Sequence, residues 1–205
     1  MLKVENLTIT TRQPILKNFS FDFKMGNIYQ IMAENGAGKS TFLKALTQLT
    51  NYKGTITYDN KFYKQNKEKV FFFEDNNWFD ENLNCLDYLN LVKKLWHTQH
   101  SVTEEINFWD INQFIKVPIK KYSLGMKQKL IIAMYLVSDA SYLLMDEITN
   151  GLDEETRSKF YSRLNELMVQ NNKCVILTSH YANEIKNLHN ITKLKLENLS
   201  MYEVN

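Results

Sequence analysis

One short stretch of the chain, Ala33–Thr41, constrains the fold more than any other part of the sequence. The stretch follows an alternating apolar run, Ile28–Met32, and precedes a helix-like segment, Phe42–Leu49. A strand, a glycine-bearing loop and a helix in series gather backbone N–H groups and the positive end of the helix dipole around one point. Phosphate fits such an anion site, so the sequence predicts that the chain binds a nucleoside triphosphate.

The side chains of this loop have separate expected tasks. Gly36 and Gly38 allow the backbone to curl close to the ligand without a Cβ clash. Lys39 can reach the β and γ phosphates, and Ser40 can place its hydroxyl on Mg²⁺. The predicted phosphate-binding residues are Asn35, Gly36, Ala37, Gly38, Lys39, Ser40 and Thr41.

The loop departs from the pattern GxxxxGK[ST] at its first position, where Ala33 replaces glycine. If the backbone has a positive φ there, alanine costs roughly 1–2 kcal/mol. The alternative interpretation is a chance turn of glycine, alanine and serine before a helix. The strand-like run before the loop and the helix-like segment after it argue against that alternative.

Composition excludes several classes of protein. The 205 residues suffice for one large domain, or for a domain with an inserted subdomain. A net charge of +2 without a basic stripe indicates no nucleic-acid surface. Cys85 and Cys174 follow no metal-binding spacing, and their apolar surroundings predict buried free thiols. Because the longest apolar run, Leu130–Val137, cannot cross a bilayer and Met1–Glu5 has no signal-peptide character, we expect a cytoplasmic protein.

Hydrophobic patterning predicts an α/β fold that begins with an antiparallel β-layer. Leu2–Ile9 and Phe19–Phe23 alternate apolar and polar residues, as half-buried strands do. The turn signals in Thr55–Phe62 predict a short hairpin. The continuous apolar run Val70–Phe73 predicts a strand that is buried on both faces.

Residues 76–122 change character, because apolar residues recur there at helical spacing. We therefore predict a single domain, 1–205, in which 76–122 is an inserted α-helical subdomain. Residues 1–75 and 123–205 are predicted to form the β-layer and a mainly parallel core sheet flanked by helices. The predicted later elements are a helix from Ser123 with Leu130, Ile131, Met134 and Val137 along one stripe, a strand at Tyr142–Met145, a helix at Asp153–Gln170, a strand at Lys173–Thr178, a helix at Tyr181–Leu188 and two terminal strands.

A second motif, Tyr142–Glu147, is an apolar strand that ends in two carboxylates. The carboxyl end of a parallel strand beside a phosphate loop is where a Mg²⁺ ligand belongs. Asp146 can hold the metal, usually through water, and Glu147 can point at the water that attacks the γ phosphate. Alone, such a run is a common junction between strand and loop, but its position after a phosphate loop favours a functional role.

A third motif, Tyr122–Lys129, places a serine and a glycine at a helix start, where they can form a second anion site. As a bare pattern, Ser123 is only an N-cap. A functional role for Ser123 and Gly125 is favoured by the order of the motifs: phosphate loop, helical insertion, Ser-x-Gly helix start, Asp-Glu strand, Asn150–Asp153 and Thr178–His180. In this order they resemble the ATP-binding cassette (ABC) family over nearly the whole chain.

The resemblance implies that a second molecule completes the nucleotide site. In that family the Ser-x-Gly helix caps the γ phosphate held by a partner, a role that would fall to Ser123 and Gly125. Asp153 lies in a segment similar to the D-loop, which crosses the dimer interface. His180 matches the switch histidine, which senses the γ phosphate and, with Glu147, orients the attacking water. Without the resemblance, a lone histidine after a strand is more often a capped or core residue.

Two positions depart from the family pattern. The family usually has an aromatic residue that stacks on adenine, but Thr10–Gln13 occupies that region, where Arg12 could stack through its guanidinium or nothing stacks. Loss of base stacking would forfeit about 1–3 kcal/mol of binding free energy. Glu74 stands where the family has a glutamine that meets Mg²⁺. A carboxylate can ligate the metal, but it also brings negative charge toward the γ phosphate.

The variant signature in Tyr122–Lys129 is similar to that of drug, antibiotic-peptide and polysaccharide exporters. The resemblance therefore implies the ATPase subunit of a membrane exporter, with ATP and Mg²⁺ as cofactors. Its implied partners are a second ABC subunit, identical or related, and transmembrane permease subunits, which would hold it at the inner face of the plasma membrane. Trp78 and Phe79 either belong to the core or line a groove for a transmembrane coupling helix.

A second hypothesis is a slow nucleotide-driven switch that closes on ATP and regulates a soluble partner such as the ribosome. Ala33, Glu74 and the missing aromatic residue favour it. The single cassette argues against it, because translation-acting relatives normally carry two. A third hypothesis, a small-molecule phosphotransferase, would not explain Ser123–Gly125 or His180.

Overall fold

A computed structural model of the chain describes residues 1–74, 78–179 and 188–204, except for the side chains of 169–171. The described residues form nine strands in two sheets. The strands are β1 (Leu2–Thr10), β2 (Pro14–Phe23), β3 (Asn27–Met32), β4 (Lys53–Tyr58), β5 (Val70–Phe72), β6 (Tyr142–Met145), β7 (Cys174–Thr178), β8 (Ile191–Glu197) and β9 (Ser200–Val204).

The first sheet is antiparallel, in the order β2-β1-β4. It confirms the predicted β-layer but corrects the predicted hairpin at Thr55–Phe62. Strand β4 pairs with β1 instead of folding back on itself, and the turn after it makes only an isolated bridge between Tyr58 and Lys61. Pairing with β1 buries Ile56 and Tyr58 in the core, which a surface hairpin would not do.

The second sheet has the order β5-β6-β7-β3-β8-β9 and is parallel except for β9 at its edge. Its central strands are aligned so that Met145 of β6 pairs with Leu177 of β7, and Ile31 of β3 pairs with Thr178 of β7. The carboxyl ends of neighbouring parallel strands lie at the same end of a sheet. The segments that follow Met32, Met145 and Thr178 therefore begin side by side.

Strand β5 lies at one edge of this sheet, and the prediction that it is buried on both faces is confirmed at its first two residues. Val70 and Phe71 point to opposite faces and both are buried, whereas Phe72 is half-buried. Val70 belongs to the hydrophobic cluster of the antiparallel layer, and Phe71 belongs to the cluster around α4. The strand also ends at Phe72, one residue earlier than predicted.

Five α-helices lie in the described part of the chain; three start close to their predicted positions, and the other two lie within the predicted helical insertion, 76–122. Asn84, Ser101, Ser123 and Asp153 cap four of them through side-chain oxygens that accept backbone N–H groups. Within residues 1–74, 78–179 and 188–204, no helix is long and apolar enough to cross a membrane. The helices are α1 (Lys39–Leu46), α2 (Cys85–Leu95), α3 (Val102–Phe108), α4 (Leu124–Ser138) and α5 (Glu154–Asn171), with short 3-10 turns at Tyr63–Gln65, Lys67–Lys69, Ile111–Gln113 and Ile119–Lys121. The helix predicted at Tyr181–Leu188 falls outside the described residues, apart from Leu188.

Helix α4 does not bury a single stripe, as its apolar residues predicted. Every residue from Leu130 to Ser138 is buried. The reason is that α4 packs between the parallel sheet and the helices α2 and α3, within one continuous hydrophobic cluster. A helix covered on all sides needs apolar residues all round.

Both cysteines are buried, Cys85 at the start of α2 and Cys174 at the start of β7, and both are free thiols. Burial raises the pKa of each thiol to about 12. A protonated thiol is a poor nucleophile and a poor metal ligand. The predicted burial of these residues is confirmed.

A buried carboxylate ties α3 to α5. The side chain of Glu105 is fully buried, and its Oε1 lies 2.8 Å from His100 Nε2 and 2.9 Å from Arg163 Nη2. Its Oε2 accepts a hydrogen bond of 3.0 Å from Trp109 Nε1. Burial raises the pKa of Glu105, but the hydrogen bonds from His100 and Arg163 outweigh burial, so the pKa lies below the ordinary value.

We expect Glu105→Ala to lower the free energy of unfolding by roughly 3–5 kcal/mol, because it removes the buried acceptor of Trp109 Nε1 and leaves the half-buried Arg163 without its buried partner. Glu166→Ala is the matched control: Glu166 pairs with the same arginine but is half exposed, so its removal should cost less than about 1 kcal/mol. Chemical denaturation measures both. Because the pKa of Glu105 is lowered by folding, its contribution should be present above the unfolded pKa of about 4.3 and disappear as the pH falls through the folded value. Equal losses in both variants would contradict this account.

Candidate functional site

The predicted phosphate loop connects β3 to α1. Gly36 has φ +77 and Gly38, which caps α1, has φ +107. A Cβ on Gly38 would lie 2.3 Å from Ile15 Cγ2, so glycine is required there by space as well as by conformation. Ala33 is not among the described residues with positive φ, so the anticipated strain at that position does not arise.

Lys39 is the first residue of α1, and its side chain is 4% exposed. Its Nζ donates hydrogen bonds to the carbonyl oxygens of Ala33, at 3.2 Å, and Glu34, at 3.3 Å. The same Nζ lies 3.6 Å from Glu147 Oε1. The ammonium group is thereby fixed inside the curve of the loop, where it can meet a phosphate.

Asp146 and Glu147 follow β6 directly, and Thr178 ends the neighbouring strand β7. The Thr178 hydroxyl donates a 2.7 Å hydrogen bond to Asp146 Oδ1 and accepts a 2.9 Å bond from the Glu147 N–H. Sequence reasoning named Thr178 in a motif but gave it no task. The available signal was a hydroxyl residue at the carboxyl end of a strand next to the Asp-Glu strand.

Glu147 has φ +46, which is uncommon for a residue with a side chain. Its carbonyl oxygen accepts the Asn150 N–H at 3.0 Å, and its Oε2 accepts Asn150 Nδ2 at 2.8 Å. Together with Thr178 and Lys39, these bonds hold the residue in its strained conformation. Strain of this kind accumulates at functional sites.

Four predicted site residues line one cleft of about 280 Å³: Ser40, Glu74, Asp146 and Glu147. A hydroxyl and carboxylates are the oxygen donors that Mg²⁺ prefers. In the part of the chain that the structure describes, no three His, Cys, Asp or Glu side chains cluster closely enough to hold a metal ion. Mg²⁺ usually keeps several waters and binds substrate phosphates, so Ser40 and Asp146 fit it when the nucleotide supplies the other ligands.

Glu74 lines this cleft but also forms an ion pair with Lys44 of α1. The side chains are 32% exposed for Lys44 and 22% exposed for Glu74. Lys44 thus compensates the negative charge that Glu74 brings toward the phosphate site. This compensation was not foreseen from the sequence.

Ser123 caps α4, because its Oγ accepts the Met126 N–H at 3.2 Å. The exposed side chain of Leu124 packs on Gly151, where an added Cβ would lie 2.5 Å from Leu124 Cδ2. An added Cβ on Gly125 would lie 3.4 Å from the Gly151 carbonyl oxygen. The start of α4 and the segment at Gly151 therefore form one surface.

Asp153, two residues after Gly151, is the N-cap of α5. Its Oδ1 accepts the Thr156 N–H at 2.7 Å. This hydrogen bond is the main reason that the pKa of Asp153 is lowered. Of the other predicted residues, Gly36, Ala37, Gly38 and Thr41 line a second cleft of about 490 Å³, together with Arg12. His180 lies outside the described residues.

The sequence is similar to a known protein family and to ATP-binding proteins of bacterial transporters. The family model described as ABC transporter matches residues 16–150. The chain belongs to this family. The lantibiotic transport ATP-binding protein SrtF of Streptococcus pyogenes is 31% identical over 196 residues, which cover 92% of this chain and 83% of that protein. The bacitracin transport ATP-binding protein BcrA of Enterococcus faecalis is 29% identical over 100% of this chain and 69% of its own length.

Solved structures show the same fold. An ATP-binding subunit of an ABC transporter superposes with a TM-score of 0.88 at 20% identity, covering 100% of this chain and 90% of that one. The dimeric structure of MJ0796, a bacterial ABC transporter cassette, gives 0.83 at 21% identity, covering 100% and 99%. The predicted P-loop fold, with an antiparallel layer and a mainly parallel sheet, is confirmed. As an ABC ATP-binding domain, the chain binds ATP and is an ATPase, and ABC ATPases generally require Mg²⁺.

Thr178→Val should lower ATP turnover roughly 10- to 100-fold, because Asp146 and Glu147 would both lose the hydroxyl that orients them. Affinity for ATP should change by less than about threefold, since Thr178 does not line the phosphate loop. Steady-state turnover and nucleotide titration measure the two effects. Thr178→Ser, which keeps the hydroxyl, is the control and should retain turnover; a valine variant with wild-type turnover would refute the orienting role.

Lys44→Met should weaken ATP binding by roughly fivefold, because the charge of Glu74 would then stand uncompensated near the phosphates. The double variant with Glu74→Gln should restore the affinity, and the loss in the single variant should shrink at high salt. Calorimetric titration of the single and double variants measures this. Equal affinity losses in Lys44→Met and in the double variant would mean that charge compensation is not what Lys44 provides.

Proposed function

We propose that two copies of this chain close around two ATP molecules, and that this ATPase cycle drives export through separate transmembrane subunits. The observation that carries the proposal is the surface formed by Ser123, Leu124 and Gly151. Ser123 and Leu124 are exposed there, beside the nucleotide site of their own chain. Leu124 also lines the cleft that contains Ser40 and Asp146, so a second molecule that covered this exposed surface would cover the mouth of that cleft as well.

Within each chain, the predicted residues bind the phosphates, hold the metal ion or orient the attacking water, according to their position. Residues 35–41 bind the phosphates through their backbone N–H groups, and Lys39 neutralises the terminal phosphate charge. Ser40 and Asp146 would hold Mg²⁺, which supplies charge stabilisation at the β and γ phosphates when bound. Glu147, fixed by Thr178 and Asn150, accepts a hydrogen bond from the attacking water and directs it.

The remaining assigned residues act at the edge of this site. Ser123 and Gly125 would cap the γ phosphate of the partner chain, and Asp153 would stabilise the segment that crosses between the chains. We propose that His180 contacts the γ phosphate in the same site. Glu74 would contribute a metal ligand through the oxygen that Lys44 leaves available.

Export is supported by the relatives and by one exposed aromatic residue. SrtF and BcrA are named for lantibiotic and bacitracin transport. In the helical region, Phe79 is buried and belongs to the core, whereas Trp78 is 47% exposed and available to a permease subunit. We propose that the chain is held at the inner face of the plasma membrane by that permease. The relatives' names favour this role over a switch that acts on a soluble partner.

Glu147→Gln should bind ATP without hydrolysing it, and it should form a dimer that persists while ATP is present. Removing the carboxylate charge leaves the γ phosphate intact, so the closed state accumulates. Light scattering during gel filtration should give a mass near twice 24.3 kDa with ATP and near 24.3 kDa without it.

Two variants control this measurement. Lys39→Ala should abolish nucleotide binding and therefore the dimer. Ser123→Arg in the Glu147→Gln background should bind ATP but remain monomeric, since Ser123 lies on the proposed contact surface. A Glu147→Gln chain that stays monomeric at saturating ATP would contradict closure around two nucleotides. Purification of the native complex from membranes should recover permease subunits; recovery of ribosomes instead would favour the switch.

A further inference from the structure

The second cleft beside the phosphate loop is lined by three segments of the chain. They are the loop itself, Gly36–Gly38 with Thr41, the segment Thr11–Ile15, and the segment Leu196–Leu199. The cleft in which Ser40 and Asp146 would hold Mg²⁺, here called the proposed magnesium cleft, lies on the Ser40 side of the loop. On the proposed function, the γ phosphate points toward Ser40, so the ribose and base leave the loop through the second cleft.

The turn between β8 and β9 is unusual at its second position. Glu197 pairs with Ser200, which leaves Asn198 and Leu199 as a two-residue hairpin turn. Both have positive φ, +48 for Asn198 and +63 for Leu199. Turns of this kind favour Asn-Gly, because glycine has no side chain to clash. Leucine in this conformation costs roughly 1–2 kcal/mol.

The strained turn is held against the rest of the site. The Lys17 N–H donates a 2.9 Å hydrogen bond to the Leu199 carbonyl oxygen, which ties the turn to β2. The Leu199 side chain is 38% exposed and lines the cleft, so the core does not require it. A strained apolar residue that is exposed in a ligand cleft is a candidate for ligand contact.

The chemistry of the cleft suits a heterocyclic base. Ile15 packs on Gly38 and forms an apolar floor next to the loop. The Glu197 carboxylate at the rim is already bound by Lys195 Nζ and by the Tyr202 hydroxyl, so its charge is compensated. Among the described residues that line this cleft, none has an aromatic side chain. Apolar contacts and the flat guanidinium of Arg12 are what the cleft offers to a base.

We propose that Leu199 is the apolar contact of the nucleotide base in this chain, with Arg12 of the neighbouring segment as a polar contact. The C-terminal hairpin thereby supplies what an aromatic ring would otherwise provide. Contacts of this type read the face of a base and not its edge. ATP and GTP should therefore bind with affinities that differ by less than about threefold.

Leu199→Gly separates ligand contact from fold stability. Glycine relieves the positive φ, so the thermal unfolding midpoint should not fall. The dissociation constants for ATP and GTP should rise by roughly fivefold, because the apolar contact is lost. The dissociation constant for inorganic tripolyphosphate, which has no base, should not change. Ser200→Gly is the matched control, since it changes the neighbouring residue of the same hairpin, outside the cleft.

Two other results for Leu199→Gly would contradict the proposed base contact. If Leu199→Gly leaves ATP and GTP affinity unchanged, Leu199 does not contact the base. If it weakens tripolyphosphate equally, the turn only supports the phosphate loop. Failure of the wild-type chain to bind tripolyphosphate and ATP would instead contradict the proposed function itself, and this outcome is distinct from an effect confined to the base.

Discussion

The site depends on the alignment of three parallel strands. The strands β3, β6 and β7 run in the same direction and in matched register. Their carboxyl ends therefore bring together the phosphate loop, the Asp146–Glu147 pair and Thr178. The Thr178 hydroxyl then links β7 to the end of β6, because it donates a hydrogen bond to the Asp146 carboxylate and accepts one from the Glu147 N–H. A shift of one strand by one residue would turn these side chains to the other face of the sheet.

Charge compensation is the second organising feature. Lys39 faces Glu147, and Lys44 faces Glu74, so two of the three acidic residues that line the proposed magnesium cleft have a basic partner from α1. A triphosphate brings several negative charges into this region, and uncompensated carboxylates would oppose it. Mobile, screened surface charges could not provide this compensation as effectively as these two ammonium groups, which ion pairs hold on a single helix.

Features with a local sequence signal were predicted well. The strand, glycine loop and helix around Lys39 have a short-range pattern, and Ser123 and Asp153 cap helices as their residue types suggest. The order of the motifs along the chain is enough to indicate the family. The predicted roles of Ser123, Gly125 and Glu74 stay predictions until they are tested.

Features that depend on distant partners were missed. The pairing of β4 with β1 and the burial of α4 on all sides follow from the tertiary arrangement, not from local periodicity. The partners of Glu74 and Thr178 lie far away along the chain. The strain at Leu199 is equally invisible in the sequence, because a turn residue shows its φ only once the hairpin register is known.

The central claim is that one chain's phosphate loop is completed by Ser123 of another. Mixing two inactive variants, Lys39→Ala and Ser123→Arg, tests it most directly. In a mixed dimer, the intact Lys39 of one chain would meet the intact Ser123 of the other at one site, and both substitutions would fall at the second site. One ATP at the intact site can then close the mixed dimer, so we predict that ATP turnover appears only on mixing. A mixture no more active than the sum of its two components would contradict a site shared between chains.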